Sequence, residues 1–301
     1  MYKLTHIINP VKVAESSDLY KSQPITFATM LRAKNSSKNG LQINLCTTQF
    51  EEDLAICPKE FIVLSNLNRS VIQVNQDLSG KKLPLIADIL EKLTEAPEAD
   101  YYIYTNTDIA LMPFFYDTVH QYVLKGHDAV VINRRRISGE FTSIDELPFM
   151  YADLGKSHPG FDCFIFKKEL LQKFIFGNIC VGIPFIEVSF IHNIVAFATN
   201  PLFVADVHLT FHLGMDVMPK RNSDYYWHNR NEFFKNVYPK LKPHLSLHKF
   251  PYATLPVYKR ALKWVLNPSL FTRNYVELEG KNLLEKLRFR ANEIRWRFLQ
   301  R

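Results

Sequence analysis

The feature that most constrains the fold of this chain is a regular alternation of short apolar runs with helical patterns over roughly its first 215 residues. "DYYIYTN", residues 100–106, is an apolar run of strand length. "PFFYDTVHQYVLKG" follows it as a helix, with Pro113 near its first turn and Gly126 as its stop. "DAVVINRRR", residues 128–136, is the next strand. Strands that alternate with helices in this way predict an α/β fold with a mostly parallel central sheet and helices on both of its faces.

The same pattern predicts further elements on both sides of this unit. A helix is expected at residues 25–37, and strands are expected at residues 3–11 and 41–50. "FIVLSNL", residues 61–67, and "SVIQVNQ", residues 70–76, fit one or two additional strands. "PLFVADVHLTFHLG", residues 201–214, fits one long strand that carries Asp206, His208 and His212.

The strand at residues 100–106 runs directly into Asn106-Thr107-Asp108. Asn and Asp are common turn formers, so a plain turn is one interpretation. The other is a cation site, because oxygen ligands at a strand tip can hold Mg²⁺ or Mn²⁺ together with the phosphates of a ligand. Arg134, Arg135 and Arg136 lie at the end of the next strand, and ligands of α/β sheets gather at the carboxyl ends of strands. Two strand ends of opposite charge therefore predict a site for a metal with a phosphate or a sugar acid.

The way in which this chain binds phosphate is restricted by its low glycine content. It has only 10 glycines in 301 residues, and neither G-x-x-x-x-G-K-[ST] nor G-x-G-x-x-G occurs. A phosphate-bearing ligand would therefore not be held by a glycine-rich loop, and a metal is the expected substitute.

Other candidate residues lie next to predicted elements. His158 and Asp162 precede an apolar strand, where they can contact a donor or acceptor sugar. Glu187 lies in the first turn of a strongly apolar helix. A glutamate at that position favours the helix dipole, and this is its structural interpretation.

Three observations favour a cytoplasmic location. The chain has no run of about 18 apolar residues. Its start, "MYKLTHIINPVKV", lacks the basic and apolar regions of a signal peptide. Its four cysteines show no C-x-x-C spacing, as expected for reduced core residues.

Residues 216–301 differ from the preceding part, because they mix aromatic, basic and proline residues without a clear period. We expect an extension that wraps back over the first domain, residues 1–215, and that can close over a ligand. Its end, "LLEKLRFRANEIRWRFLQR", predicts a basic amphipathic helix, which fits an anionic membrane surface. The alternative is a terminal helix that packs on its own domain. No nucleic-acid motif accompanies the charge, so we expect no nucleic-acid partner.

Taken together, residues 1–215 resemble the type-A glycosyltransferase fold, a nucleotide-sugar-dependent superfamily. In that superfamily a D-x-D motif binds a divalent metal and the donor diphosphate. A later acidic residue often serves as catalytic base, and a late His or Asp often completes the metal shell. The motif here is N-x-D, because Asn106 occupies the first acidic position. Asn106 brings no charge, so weaker metal affinity is expected.

The resemblance implies a role for each candidate residue. The donor is expected to bind to Asn106, Asp108, Arg134 and His158. A Mn²⁺ or Mg²⁺ ion is expected to be held by Asp108, His212 and His208. The expected catalytic residues are Glu187 and Asp162. Glu187 would be the base of an inverting reaction. The implied function is transfer of a sugar from a nucleotide-sugar donor to a glycan or lipid-linked acceptor, as in polysaccharide biosynthesis, with a location at the inner face of the membrane.

Two other classes of function stay open. A sugar nucleotidyltransferase is also an α/β nucleotide-binding enzyme, but the lysine- and glycine-rich N-terminal loop expected for it is absent. A non-catalytic carbohydrate-binding or scaffold protein with a degraded metal site is consistent with Asn106.

Overall fold

The computed structural model describes residues 1–38, 40–215, 223–267 and 270–299, without the side chains of residues 223, 272, 289 and 292–299. This part of the chain contains nine strands and eleven α-helices. The strands are β1 (Tyr2–Ile8), β2 (Leu41–Thr47), β3 (Ile62–Val63), β4 (Tyr101–Thr105), β5 (Ala110–Leu111), β6 (Ala129–Ile137), β7 (Lys156–Lys167), β8 (Pro201–Val204) and β9 (Thr210–Leu213). The helices are α1 (Asp18–Ser36), α2 (Val71–Val74), α3 (Ile86–Glu91), α4 (Phe115–Leu124), α5 (Leu147–Ala152), α6 (Lys168–Leu171), α7 (Ile186–Phe197), α8 (Ser223–Glu232), α9 (Tyr238–Leu241), α10 (Val257–Leu266) and α11 (Thr272–Leu299).

The strands form one mixed sheet in the order β3-β2-β1-β4-β7-β6-β9-β5, with β8 also paired to β6. Five of the pairings are parallel and three are antiparallel. The mostly parallel α/β fold predicted from the sequence is therefore confirmed. Strand β7 runs antiparallel to both of its neighbours, β4 and β6, so these two strands point in the same direction.

The register across β7 fixes which residues share the functional edge of the sheet. Thr105 at the end of β4 and Ile132 in β6 are both level with Cys163 of β7. The residues that follow Thr105 and Ile132 therefore lie at the same edge. The ladder between β6 and β7 is irregular around Asn133, and such a bulge re-aims the side chains next to it.

The sheet separates two parts of the core. Ile103 and its neighbour Tyr104 point to opposite faces, as successive strand residues must. On one face Ile103 packs with α1 and α4. On the other face Phe190 of α7 stacks on Tyr104 and on Phe164, at centroid distances of 5.3 and 4.1 Å. The apolar sequence of α7 is explained by this position, because almost the whole helix is buried.

The C-terminal extension wraps back onto the same core. Phe233, Tyr238, Trp264 and Tyr275 belong to one buried cluster with the residues of α7. The predicted boundary between residues 215 and 216 borders residues 216–222, which lie outside the described part of the chain, so it stays a prediction. Within the described ranges, no helix has the length and apolar character needed to cross a membrane.

Two predicted strands were wrong. "SVIQVNQ" contains the helical turn α2, because Ser70 and Gln73 form a capping box at its start. The single strand expected at residues 201–214 is two strands, β8 and β9, because the chain turns sharply at Asp206, whose φ is 65°. Asp206 is held there by its N–H bond to the Asn133 side chain and by its ion pair with Arg135.

Candidate active site

Asp108 and His212 are brought together by the short pairing of β5 with β9. Strand β4 ends at Thr105, and a turn closed by a hydrogen bond from Ile109 N to Asn106 O leads into β5. Because Ala110 of β5 is level with Phe211 of β9, Asp108 Oδ2 lies 3.2 Å from His212 Nε2. Burial raises the pKa of Asp108, but the hydrogen bond and charge of His212, with the charge of Arg134, outweigh it and leave that pKa below its usual value. Asp108 is therefore a carboxylate at neutral pH.

Arg134 links this pair to the neighbouring strand. Its guanidinium lies 2.7 Å from Asp162 of β7, and both side chains are only 14% and 13% exposed. A second guanidinium nitrogen, Nη2, lies 3.4 Å from His158 Nε2. Arg134 thus forms one cluster with Asp162 and His158, which the sequence placed together on a different segment.

Tyr104 is a site residue that the sequence analysis missed. Its hydroxyl donates a hydrogen bond to Asn106 Oδ1 at 3.0 Å. Burial raises the pKa of Tyr104, and the charges of Asp108 and Asp162 add to the effect, so the hydroxyl keeps its proton and lies near both carboxylates. The signal was present, because residues 104 and 106 are two apart and share one side of an extended chain. The amide oxygen of Asn106 is therefore already in use as an acceptor.

Glu187 lies against the chain that leads into the central part of β7. Its carboxylate accepts a hydrogen bond from Phe161 N, and a Cβ at Gly160 would lie only 2.7 Å from Glu187 Oε2. Gly160 N donates to His158 Nδ1 at 2.9 Å. His158 and Glu187 therefore meet at Gly160, where no larger residue fits.

The extension reaches this part of the site through Tyr252 and Asn267. Asn267 Nδ2 donates to Pro159 O at 3.1 Å. Burial raises the pKa of Tyr252; a hydrogen bond with Asn267 lowers it and the charge of Glu187 raises it. Tyr252 therefore lies within electrostatic range of Glu187.

Two bulky residues beside Glu187 adopt a strained backbone. Phe185 has φ 93° and Tyr252 has φ 68°, both in the left-handed region that large side chains avoid. Phe185 is held by burial and by stacking on Phe271 at 4.7 Å. Such strain persists only where the surroundings impose it, and it is concentrated at functional sites.

Several buried polar atoms of the cluster have no hydrogen-bond partner among the described residues: Asp108 Oδ1, Asp162 Oδ2, Arg134 Nε and His212 Nδ1. Buried polar groups are nearly always paired, so these atoms indicate a polar ligand. The carboxylates of Asp108, Asp162 and Glu187 outnumber the single guanidinium of Arg134, which favours a cation. The described residues contain no group of three His, Cys, Asp or Glu side chains that could hold a metal alone. Magnesium and similar ions are often held by one or two carboxylates plus substrate phosphates, and Asp108 with His212 fits that mode.

His208 lies in different surroundings from the predicted metal pair. It precedes β9 in a turn closed between Leu209 N and Val207 O, and its ring centroid is 6.3 Å from that of Phe211. Burial and the charge of Arg135 lower the pKa of His208, against a smaller effect of Asp153. The predicted metal set of Asp108, His208 and His212 is thus reduced, within the described chain, to Asp108 and His212.

Only the first arginine of the predicted triplet takes part in the cluster. Arg135 bonds to the carbonyls of Leu154 and Gly155 and pairs with Asp206. Arg136 bonds to the carbonyls of Met215 and Ser157. Arg135 and Arg136 therefore hold neighbouring parts of the backbone in place. All three arginines belong to strand β6 itself and not to a loop after it.

Comparison with known proteins gives structural matches alone. No family model matches the chain, and no curated protein matches it. It is similar to S. aureus TarS (1–349) in complex with UDP-GlcNAc, with 9% identity, a TM-score of 0.47, and coverage of 87% of this chain and 70% of that one. It is also similar to glucosyl-3-phosphoglycerate synthase from Mycobacterium tuberculosis in complex with Mn²⁺, UDP and glucosyl-3-phosphoglycerate, with 12% identity, a TM-score of 0.45 and 80% coverage of both chains. The same values hold for that synthase with Mg²⁺ and UDP.

All three of these structures contain UDP or UDP-GlcNAc. Their TM-scores are below 0.5 and their identities are low, so they add nothing to the assignment of function. That assignment depends on the residues of this chain.

Proposed function

We propose that the chain is a glycosyltransferase that moves a sugar from a nucleotide-sugar donor to a glycan or lipid-linked acceptor. One observation carries the proposal. Asp108, Arg134, Asp162, Glu187 and His212 converge at the carboxyl edge of the sheet, and one oxygen each of Asp108 and Asp162 is buried without a partner in the part of the chain that the structure describes. This edge is where α/β sheets bind nucleotides.

The residues present fit a divalent cation shared with the donor. Asp108 and His212 would hold Mn²⁺ or Mg²⁺, since Oδ1 of Asp108 is a buried acceptor that has no partner among the described residues. When bound, the ion supplies positive charge to the leaving diphosphate. Asn106 adds no charge, and its bond with Tyr104 gives it a role in orienting the turn.

Arg134 is proposed to bind a donor phosphate. Asp162 holds one side of its guanidinium, and its Nε has no partner in the described chain. A guanidinium fixed in this way offers directed hydrogen bonds to a phosphate oxygen. The second oxygen of Asp162, which has no partner among the described residues, is then proposed to accept a hydrogen bond from a sugar hydroxyl group, and His158 is held next to it through Arg134.

Glu187 is proposed as the general base of an inverting transfer. The N–H of Phe161 donates a hydrogen bond to the carboxylate and orients it, and Gly160 of strand β7 leaves room for it beside His158. A base must lie within hydrogen-bond reach of the acceptor hydroxyl, whose proton it removes as the oxygen attacks the sugar. Tyr252 and Asn267 border this side of the site, so we propose that the acceptor enters between β7 and the extension.

The test is thermal unfolding of the full chain with UDP, with and without Mn²⁺. A ligand that binds only the native state raises its stability, by about 2.7 kcal/mol at a hundred times its Kd. We expect UDP with Mn²⁺ to stabilise the chain more than either alone. Asp108→Asn should remove the part that depends on Mn²⁺, whereas Asp77→Asn, a change at an exposed loop position, should keep it.

Two outcomes would change the assignment. If no nucleoside diphosphate stabilises the chain, with or without Mn²⁺, donor binding is excluded and the proposal is refuted. Donor binding without turnover of any acceptor would favour a non-catalytic carbohydrate-binding protein, for which the uncharged Asn106 is the supporting feature.

We also propose that the enzyme is cytoplasmic and works at the inner face of a membrane, where a lipid-linked acceptor is reached. The basic end of α11 supports this location. From Leu283 to Ala291, every side chain that the structure describes is exposed, including Leu287, so these described side chains are turned to solvent. Arg295, Trp296, Arg297 and Phe298 have undescribed side chains, and Arg301 lies outside the described residues.

A further inference from the structure

Helix α10 carries an apolar face that the described part of the chain leaves exposed. Its inner side is buried through Arg260 and Trp264. The outer side consists of apolar residues one helical turn apart, here called the α10 face: Tyr258, Leu262, Val265 and Leu266, which are 70%, 59%, 61% and 68% exposed. Single exposed apolar residues are ordinary, but four on one side of a short helix form an interaction surface.

The α10 face is held in a fixed direction. Arg260 Nε donates to Glu279 Oε1 of α11 at 2.6 Å, and Arg260 Nη1 donates to two backbone carbonyls just before the helix. Trp264 packs on Phe250 and Tyr275, at centroid distances of 5.1 and 5.3 Å. The outer side is therefore presented by an anchored helix and not by a loose segment.

The charge around the α10 face is positive. Lys259 and Lys263 are exposed and border it, since each follows directly after a residue of the face. Further along, α11 exposes Leu283, Leu284 and Leu287 among Glu285, Lys286, Arg288 and Arg290. The whole chain has a formal net charge of +7.

We propose that the α10 face inserts into the headgroup region of an anionic lipid bilayer, with Lys259 and Lys263 paired to lipid phosphates. Apolar residues on one side of a helix and lysines next to them are typical of helices that lie in a membrane interface. A second copy of the chain is a poorer occupant, because two α10 faces in contact would bring four lysines together. The proposal rests on the proposed function and names where its lipid-linked acceptor is met.

The position of α10 connects the membrane contact to the site. Tyr252, which lies within electrostatic range of Glu187, precedes the helix by five residues. Asn267, which bonds to Pro159 O, follows directly after its last residue. Both ends of α10 therefore border the acceptor side of the site, and a bilayer on the α10 face would place lipid headgroups next to it.

Sedimentation of the full chain with vesicles tests the proposal. We expect binding to phosphatidylcholine vesicles that contain phosphatidylglycerol, and much weaker binding to phosphatidylcholine alone. Leu262→Asp should lower the partition coefficient by roughly tenfold or more, because a leucine side chain is no longer buried in the interface. Lys259→Gln with Lys263→Gln should lower it by roughly tenfold on anionic vesicles only.

The matched control is Leu124→Asp at the end of α4, where the leucine is 55% exposed and the charge change is the same. Equal loss of binding in Leu124→Asp and Leu262→Asp would overturn the proposal, as would no preference for anionic vesicles. A dimer in sedimentation velocity that Leu262→Asp dissociates would identify a second copy as the occupant and also overturn it. Stabilisation by UDP, measured on the same variants, should not change, so failure of membrane binding and failure of donor binding are told apart.

Discussion

At the scale of single residues, Glu187 offers a direct test of the proposed chemistry. Glu187→Gln keeps the shape and the hydrogen bond from Phe161 N but removes the basic oxygen. We expect UDP binding to persist and the transfer rate to fall by roughly a hundredfold or more, the usual scale for loss of a general base. The measurement is initial rate with saturating donor, beside thermal unfolding with UDP.

The matched control for Glu187 is Glu169, which also lies in the first turn of a helix but is exposed. If both glutamates serve only the helix dipole, then Glu169→Gln and Glu187→Gln should behave alike, with normal turnover and a small loss of stability. That result would remove Glu187 from the reaction.

Gly160 is the second residue at which the site can be tested. An added Cβ would lie 2.7 Å from Glu187 Oε2 and 3.1 Å from His158 Cε1, so Gly160→Ala must displace one of these side chains. We expect a large loss of transfer rate, with a stability cost of about 1–3 kcal/mol from overpacking. Activity and thermal unfolding are measured together.

Gly280→Ala is the control for that substitution. Gly280 lies in helix α11 with open space around its Cα, so alanine there should raise stability by about 1 kcal/mol and leave activity unchanged. An active Gly160→Ala enzyme would show that Glu187 does not need its present position.

The sequence predicted site residues wherever a strand ended in a charged or amide side chain. Asp108 and His212 could be inferred because strand ends in an α/β sheet meet at one edge. Tyr104 was missed although its two-residue spacing from Asn106 places both on one side of the strand. Tyr252 was missed because nothing in the alternation of elements shows that the extension will reach Glu187. His208 was wrongly grouped with His212, because the turn before β9 was taken for strand.

At the scale of elements, α7 and α11 are joined by His192. Its Nδ1 donates to Val188 O at 2.6 Å, and its Nε2 accepts from Asn274 Nδ2 at 2.9 Å. Burial lowers the pKa of His192 to about 4, against a smaller opposite effect of the bond to Val188. The described groups around the ring carry no charge: Phe233, Tyr238 and Phe250.

The pH dependence of stability follows from that lowered pKa. Between about 6.5 and 4 the unfolded chain takes up a proton that folded His192 does not, so the stability due to neutral His192 is lost as the pH falls through this range. His6, buried with a pKa of about 3, acts in the same direction. We expect His192→Gln to reduce the slope of unfolding free energy against pH. His244→Gln, at an exposed position, should leave the slope unchanged, and equal slopes in all three chains would contradict a buried neutral His192.

Element type was predictable where the apolar period was long and capping signals were not decisive. Strands β1, β2, β4 and β6 and the helices α4 and α7 follow the sequence pattern closely. The pattern failed at α2, where a capping box of polar side chains outweighed β-branched residues, and at Asp206, where a left-handed residue divided an apolar run. Both failures come from local hydrogen bonds, which cannot be seen in the spacing of apolar residues along the sequence.

At the scale of the whole molecule, the extension is part of the core and of the site together. Trp264 and Tyr275 close the cluster around α7, while Asn267 between them bonds to Pro159 at the site. The sequence predicted an extension that wraps back, since its aromatic residues need a surface to pack on. It did not predict the α10 face. Arg260 is buried in its ion pair with Glu279, so the side of α10 that carries this arginine is turned inward and the apolar side is turned outward.

The basic end of α11 gives the last prediction, in which the point of truncation matters. A chain that ends at Leu278 loses Glu279, the partner of buried Arg260, and we expect that loss to cost about 3–5 kcal/mol of stability. A chain that ends at Lys286 keeps that ion pair and removes the basic end, in which the described side chains, those of Leu287, Arg288, Arg290 and Ala291, are exposed. We expect it to melt like the full chain and to bind anionic vesicles more weakly, with less dependence on salt, because each arginine near the surface contributes about 1 kcal/mol. It should still lose further binding on Leu262→Asp. Equal binding of the full chain and the chain ending at Lys286 would make the end of α11 a structural helix without a membrane role.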